Sequence, residues 1–264
     1  MVSASALLLP TGNRDQISDS SLSPHWGIWA TLLWSLLIIL VFSIAQLSVI
    51  IIQIISYSDG IYSWLEFETK LQSIAYKGNT VAYATFASTI VCCSLIVGII
   101  KLKREATLKD YLYFYQVSIQ TAALWLGITL IFIIVSNFIL YWLAEPRSQQ
   151  WFFEAYTTAH PVWVLWIALL IGAPLFEEVL FRGFMFRGFQ SSFLGLTGTI
   201  VITSSLWAAV HLQYDFYVMI CIGCFGVLLA MARQMTGSLL MPLCLHAFFN
   251  LCGTVGVAIS QYSH

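Results

Sequence analysis

Glu177 and Glu178 in the stretch FEEVLFRGF, His211 in LWAAVHL, and His246 with Asn250 in LHAFFN bring the groups that can activate water against a carbonyl into the last hundred residues. A buried carboxylate can take a proton from water, and imidazole and amide groups can stabilise the oxyanion of a tetrahedral intermediate. Helical spacing sorts these side chains. Glu178 and Arg182 stand at i and i+4, on one face, and can neutralise each other as an ion pair. Glu177 is rotated from that face by about 100°, is left without the arginine, and is the candidate base. His246 and Asn250 are again i and i+4. Asp215, four residues after His211, reads as a helix cap in a turn. Ser191, Ser192, Ser204 and Ser205 lack the paired base that a nucleophilic serine requires.

The elements that must position these groups lie in the membrane. Of 264 residues, 59% are hydrophobic and 9% charged, against roughly 25% charged in soluble domains; mean hydropathy is +0.86. Charge-free stretches run over 20–58, 78–100, 111–144, 155–176, 188–214, 216–232 and 234–264, and about 20 apolar residues suffice to cross a hydrocarbon core in a helix. The expectation is an all-α, polytopic transmembrane helical bundle of about seven spanning helices, near 27–56, 80–100, 117–143, 162–190, 196–212, 216–233 and 239–260. The fourth must continue past both glutamates. If it does, counting inward at 1.5 Å per residue from Gln190, Leu196 and Ser238 puts Glu177, His211 and His246 about 20, 22 and 12 Å deep, where they can meet.

The chain divides into a polar tail (1–25), amino-terminal transmembrane helices (26–145) with an outer loop (58–79) holding a short amphipathic helix, and a carboxyl-terminal core (162–260). Arg14, Lys101, Lys103, Arg104, Lys109, Arg182, Arg187 and Arg233 fall on one side, against Lys70, Lys77 and Arg147 on the other. That bias makes the first side, and the amino terminus, cytoplasmic. A formal net charge of −1 without a basic patch excludes nucleic acid as a partner. The six cysteines sit in apolar stretches, where thiols act as small hydrophobes; the Cys221-x-x-Cys224 pair lacks the further ligands that a closed zinc site needs.

Glu177-Glu178-x-x-x-Arg182, Trp207-x-x-x-His211 and His246-x-x-x-Asn250, in this order on successive apolar helices, resemble the motifs of the CPBP family, the CaaX proteases and bacteriocin-processing enzymes, also called the Abi family. The likeness covers about residues 162–253 and departs at Trp207, where Phe is usual, a change expected to alter packing beside His211 more than chemistry. The resemblance implies an intramembrane endopeptidase acting on membrane-associated proteins or peptides, lipidated CaaX proteins among them. It implies Glu177 and His211 as activators of water, His246 and Asn250 as oxyanion stabilisers, and Glu178 and Arg182, with Trp207, as shapers of the site. A metal-free scheme is favoured, with no cofactor; in a zinc scheme the ligands would be Glu177, His211 and His246. The competing classes are a noncatalytic immunity or assembly factor that keeps the fold, and a proton-coupled transporter, since buried Glu and His also build proton relays.

Overall fold

A computed structural model of the chain describes residues 24–57, 63–143 and 150–262. The expected tail thus lies outside the described residues except for Pro24 and His25, as do 58–62 of the outer loop. Ten helices carry the described fold, with no strand among these residues: α1 (Ile28–Tyr57), α2 (Trp64–Ala75), α3 (Gly78–Leu102), α4 (Leu108–Leu112), α5 (Ile119–Leu143), α6 (Gln150–Thr158), α7 (Val162–Gln190), α8 (Gly195–Ala209), α9 (Phe216–Thr236) and α10 (Leu240–Tyr262). Six of them, α1, α3, α5, α7, α9 and α10, are long and apolar enough to cross a membrane. The seventh expected span, α8, has 15 residues, about 22 Å of helix at 1.5 Å per residue. Irregular backbone follows it over 210–215.

Leu33, Leu36, Leu40 and Ile44 on α1 and Ile131, Ile134 and Phe138 on α5 face outward, an apolar surface that suits lipid rather than water. Where helices meet, small hydroxyl residues are buried: Thr31, Ser88, Thr89, Thr199 and Thr203. Such residues let helix backbones approach closely in membranes. The most buried long helix is α7, half of it covered against 11% of α1. It packs on α1, α3, α8 and α10, so its polar residues lie at the centre of the bundle.

Two π-helical turns, Ala168–Gly172 and Val179–Met185, interrupt α7. Pro174 accounts for the first: it has no N–H for the carbonyl of Leu170, and its ring would clash with that carbonyl in a regular α-turn. Side chains from neighbouring helices take up carbonyls of the widened turn. Asn250 Nδ2 donates to Leu169 O at 2.8 Å, and Thr89 Oγ1 donates to Gly172 O at 3.0 Å. The helix therefore continues through Glu177 and Glu178, as their place in the interior requires.

On the side of the 103–118 connection, Arg187 donates to the Tyr113 hydroxyl, the guanidinium of Arg233 lies 4.1 Å over the Tyr113 ring, and the Leu239 amide donates to Tyr113 O at 2.9 Å. Arg182, Arg187 and Arg233 are thus buried in the bundle rather than set in a loop. This narrows the basic asymmetry to Arg14, Lys101, Lys103, Arg104 and Lys109 against Lys70, Lys77 and Arg147. At the opposite end, Asp215 caps α9, accepting from the Val218 amide at 2.9 Å. The outer loop holds the short helix α2, whose Ser63 cap accepts from the Glu66 amide and whose Glu66 and Lys70 pair at 2.9 Å. The connection leading into α7 carries a helix that hydropathy does not signal, α6, packed on α3.

Candidate active site

Glu178 and Arg182 are both fully buried and joined by Arg182 Nη1 donating to Glu178 Oε1 at 2.9 Å. The π turn between them does not separate the pair, because four residues stay close to one turn. Arg182 Nη2 donates to Gly226 O at 3.2 Å, an approach that depends on a bare backbone. A Cβ at Gly226 would stand 3.1 Å from both Arg182 Nη2 and Trp207 Cε3 and 3.0 Å from Ser204 Cβ. The same carboxylate oxygen accepts from His246 Nδ1 at 2.9 Å. That bond fixes the ring and leaves His246 Nε2 facing Glu177 Oε2 at 3.9 Å.

His211 is held by different means. The ladder of α8 ends at Ala209, and the His211 amide donates to Ala208 O, so the carbonyl of Trp207 lacks its usual i+4 amide partner. The His211 ring fills that role, Nδ1 lying 2.7 Å from Trp207 O. A carbonyl can only accept, so Nδ1 carries the proton and Nε2 is directed at Glu177 Oε2, again at 3.9 Å. His211 lies two residues beyond the helix rather than inside it, on irregular backbone, which at membrane depth occurs only where protein buries it or it lines a wet cavity. An open depression of about 390 Å³ adjoins it, lined by Leu212 and Gln213, which follow His211 directly, and by Ala75, Tyr76, Val81 and Trp151. Trp151 packs edge-on against Tyr214, which stacks on His211 with centroids 6.2 Å apart.

Glu177, 19% exposed at its side chain, thus meets one Nε2 from each of two histidines. At 3.9 Å the contacts are too long for direct hydrogen bonds, but a single water oxygen can stand about 2.8 Å from the carboxylate and from an imidazole. Such a water would face a proton acceptor on one side and groups able to stabilise negative charge on the other. Glu177 has a partner that spacing did not reveal: Trp207 Nε1 donates to Glu177 Oε2 at 2.5 Å. The indole therefore does more than pack beside His211, and the residue type was the available signal, since Trp is the larger aromatic with an N–H donor. Asn250 is one turn from His246, and its described bond goes to Leu169 O; the second amide N–H remains for another acceptor.

Two imidazoles and a carboxylate are donors that zinc accepts. Tetrahedral zinc with bonds of about 2.0–2.1 Å would hold its ligand atoms roughly 3.3 Å apart, closer than the 3.9 Å found here. Among the described residues no group of three or more His, Cys, Asp or Glu side chains is placed to hold a metal ion. The arrangement as it stands does not fit a resident zinc. The six cysteines are free thiols. Ser191 and Ser192 bond to backbone carbonyls and Ser204 Oγ is buried without a partner.

Residues 159–252 match the family model described as Type II CAAX prenyl endopeptidase Rce1-like. This is the segment on which the three motifs resemble the CPBP family, and it contains Glu177, Glu178, Arg182, Trp207, His211, His246 and Asn250. The chain is also 37% identical over 82 residues to an uncharacterized 24.3 kDa protein of Escherichia coli, a match that covers 30% of this chain and 38% of that relative. No solved structure matches the chain.

Proposed function

Because the chain carries an Rce1-like domain over residues 159–252, we propose that it is an intramembrane endopeptidase that hydrolyses a peptide bond of a membrane-associated protein by glutamate-activated water. The observation that carries the reading is the convergence of His211 Nε2 and His246 Nε2 on one oxygen of Glu177, each at 3.9 Å. Glu177 takes a proton from water while the oxygen adds to the scissile carbonyl. His211, its Nδ1 proton fixed on Trp207 O, offers the Nε2 lone pair to the same water. The oxyanion that forms is met by His246 and by the free amide N–H of Asn250. For His246 to donate from Nε2 its ring must carry both protons, and the positive charge then faces Glu178 Oε1. The C–N bond breaks as Glu177 returns its proton to the leaving nitrogen. Glu178 and Arg182 orient His246 and take no proton from substrate.

In this reading residues 162–260 form the catalytic core, and α1, α3 and α5 wrap it and meet the lipid. The amino terminus is cytoplasmic, on the side of the basic 101–110 connection. Substrates are membrane-anchored protein tails, with lipidated ones as the first class to test. Purified protein in lipid nanodiscs is incubated with farnesylated and unmodified peptides, and the products are identified by mass. Cleavage by wild type and none by a folded Glu177→Gln variant is expected. Near-normal turnover by Glu177→Gln would remove the glutamate as general base.

A further inference from the structure

Trp207 contacts Glu177, Arg182, His211 and His246. Its N–H donates to Glu177 Oε2 at 2.5 Å and its backbone carbonyl accepts His211 Nδ1 at 2.7 Å. Its ring lies 4.5 Å from the Arg182 guanidinium and packs edge-on against His211 and His246, with centroids 5.1 and 5.3 Å away. The residue is 2% exposed, and Gly226 closes over its six-membered ring, so the indole has no room to swing. Relief of a buried N–H does not by itself explain the contact. The indole N–H of Trp166 is buried in this same chain without a partner.

We infer that Trp207 is a positioning residue for hydrolysis, fixing the water-activating carboxylate of Glu177 through its indole N–H and the ring of His211 through its carbonyl, so that both face the same water. The inference rests on the reading of Glu177 as general base. A carboxylate has two oxygens and a rotatable terminal torsion; without the N–H, Oε2 can turn away from the two imidazoles while the fold stays intact. A phenylalanine at this position would keep an aromatic contact with Arg182 and both histidines but could not donate. Here, therefore, the identity of the aromatic residue bears on the chemistry.

The test isolates the N–H from the ring. In the full-length protein, Trp207 is replaced by the benzothienyl isostere, in which sulfur stands for the N–H, and separately as Trp207→Phe. Both are assayed in nanodiscs on the peptide that wild type cleaves. The expected result is a kcat lower by roughly 10- to 100-fold, the scale on which a misplacement of about 1 Å costs 10²-fold, with KM within about twofold and unfolding of the isostere unchanged. A second readout needs no turnover: in ¹⁵N-tryptophan-labelled protein, the indole resonance lost in Trp207→Phe should move in Glu177→Gln. Wild-type kcat in the isostere, or an indole resonance indifferent to Glu177→Gln, would overturn the inference. An active Glu177→Gln would instead defeat the peptidase mechanism, whereas an inactive Glu177→Gln beside an unaffected isostere defeats only the role of Trp207.

Discussion

Removing Arg182 should cost stability, and removing its partner with it should restore stability without restoring activity. Arg182→Met deletes the cation that sits 2.9 Å from Glu178 Oε1 and strands a carboxylate with no exposed surface. Glu178 Oε2 already has no hydrogen-bond partner, so the ionised group is left with the His246 N–H alone. Breaking a buried pair from one side costs about 3–5 kcal/mol, because the surviving charge is uncompensated. The bond from Arg182 to Gly226 O is lost as well. Replacing both members, as in Glu178→Leu with Arg182→Met, leaves neither charge. Exchanges of this kind are often neutral, so most of the loss should be recovered.

Activity should follow a different course, since the double variant has no acceptor for His246 Nδ1 and its ring is free to rotate away from Glu177. Unfolding of the detergent-solubilised single and double variants, followed by denaturant titration, gives the stabilities; peptide cleavage in nanodiscs gives turnover. We expect the single variant to lose about 3–5 kcal/mol and the double to recover most of it, with turnover lost in both. An Arg182→Met protein as stable as wild type would show that the pair does not lock the bundle. A double variant with wild-type turnover would refute the claim that Glu178 orients His246.

Two further predictions concern orientation and metal. Single cysteines at Lys103 and His160, placed in a cysteine-free background, should react with membrane-impermeant reagent from opposite sides; labelling from one compartment would overturn the proposed topology. Active enzyme should contain far less than one zinc per chain. A stoichiometric zinc that disappears in His211→Ala, with activity restored when zinc is returned to stripped wild type, would make the histidines ligands.

Much of this arrangement was legible in the chain because its determinants are local. The expected spans locate the long helices to within a few residues once the fourth is carried past its glutamates, i,i+4 spacing identifies Glu178 with Arg182, and an Asp before an apolar run marks the cap of α9. What escaped depends on partners distant in sequence or on backbone that hydropathy does not register. His211 falls in an apolar stretch and reads as helical, yet the helix stops two residues earlier and the ring takes over a freed carbonyl. The bond from Trp207 to Glu177 crosses 30 residues and turns on one N–H that an apolarity scale ignores. The short helix α6 is too brief and on average too polar to stand out beside its apolar neighbours.

The wide turns of α7 have a consequence for how the chain tolerates change. A π turn holds about one residue more than an α turn, and one residue is worth about 100° of rotation. The segment Ala173–Glu178, enclosed between Ala168–Gly172 and Val179–Met185, is therefore a cassette whose angular phase is set separately from the rods on either side. The rod before the cassette can match its surface to lipid and the rod after it, Phe186–Gln190, to α1 and α8, while the cassette keeps both acids aimed inward. The device is sensitive to length rather than composition: gaining or losing a single residue in either wide turn would swivel the two glutamates out of line with both histidines, even with every side chain conserved.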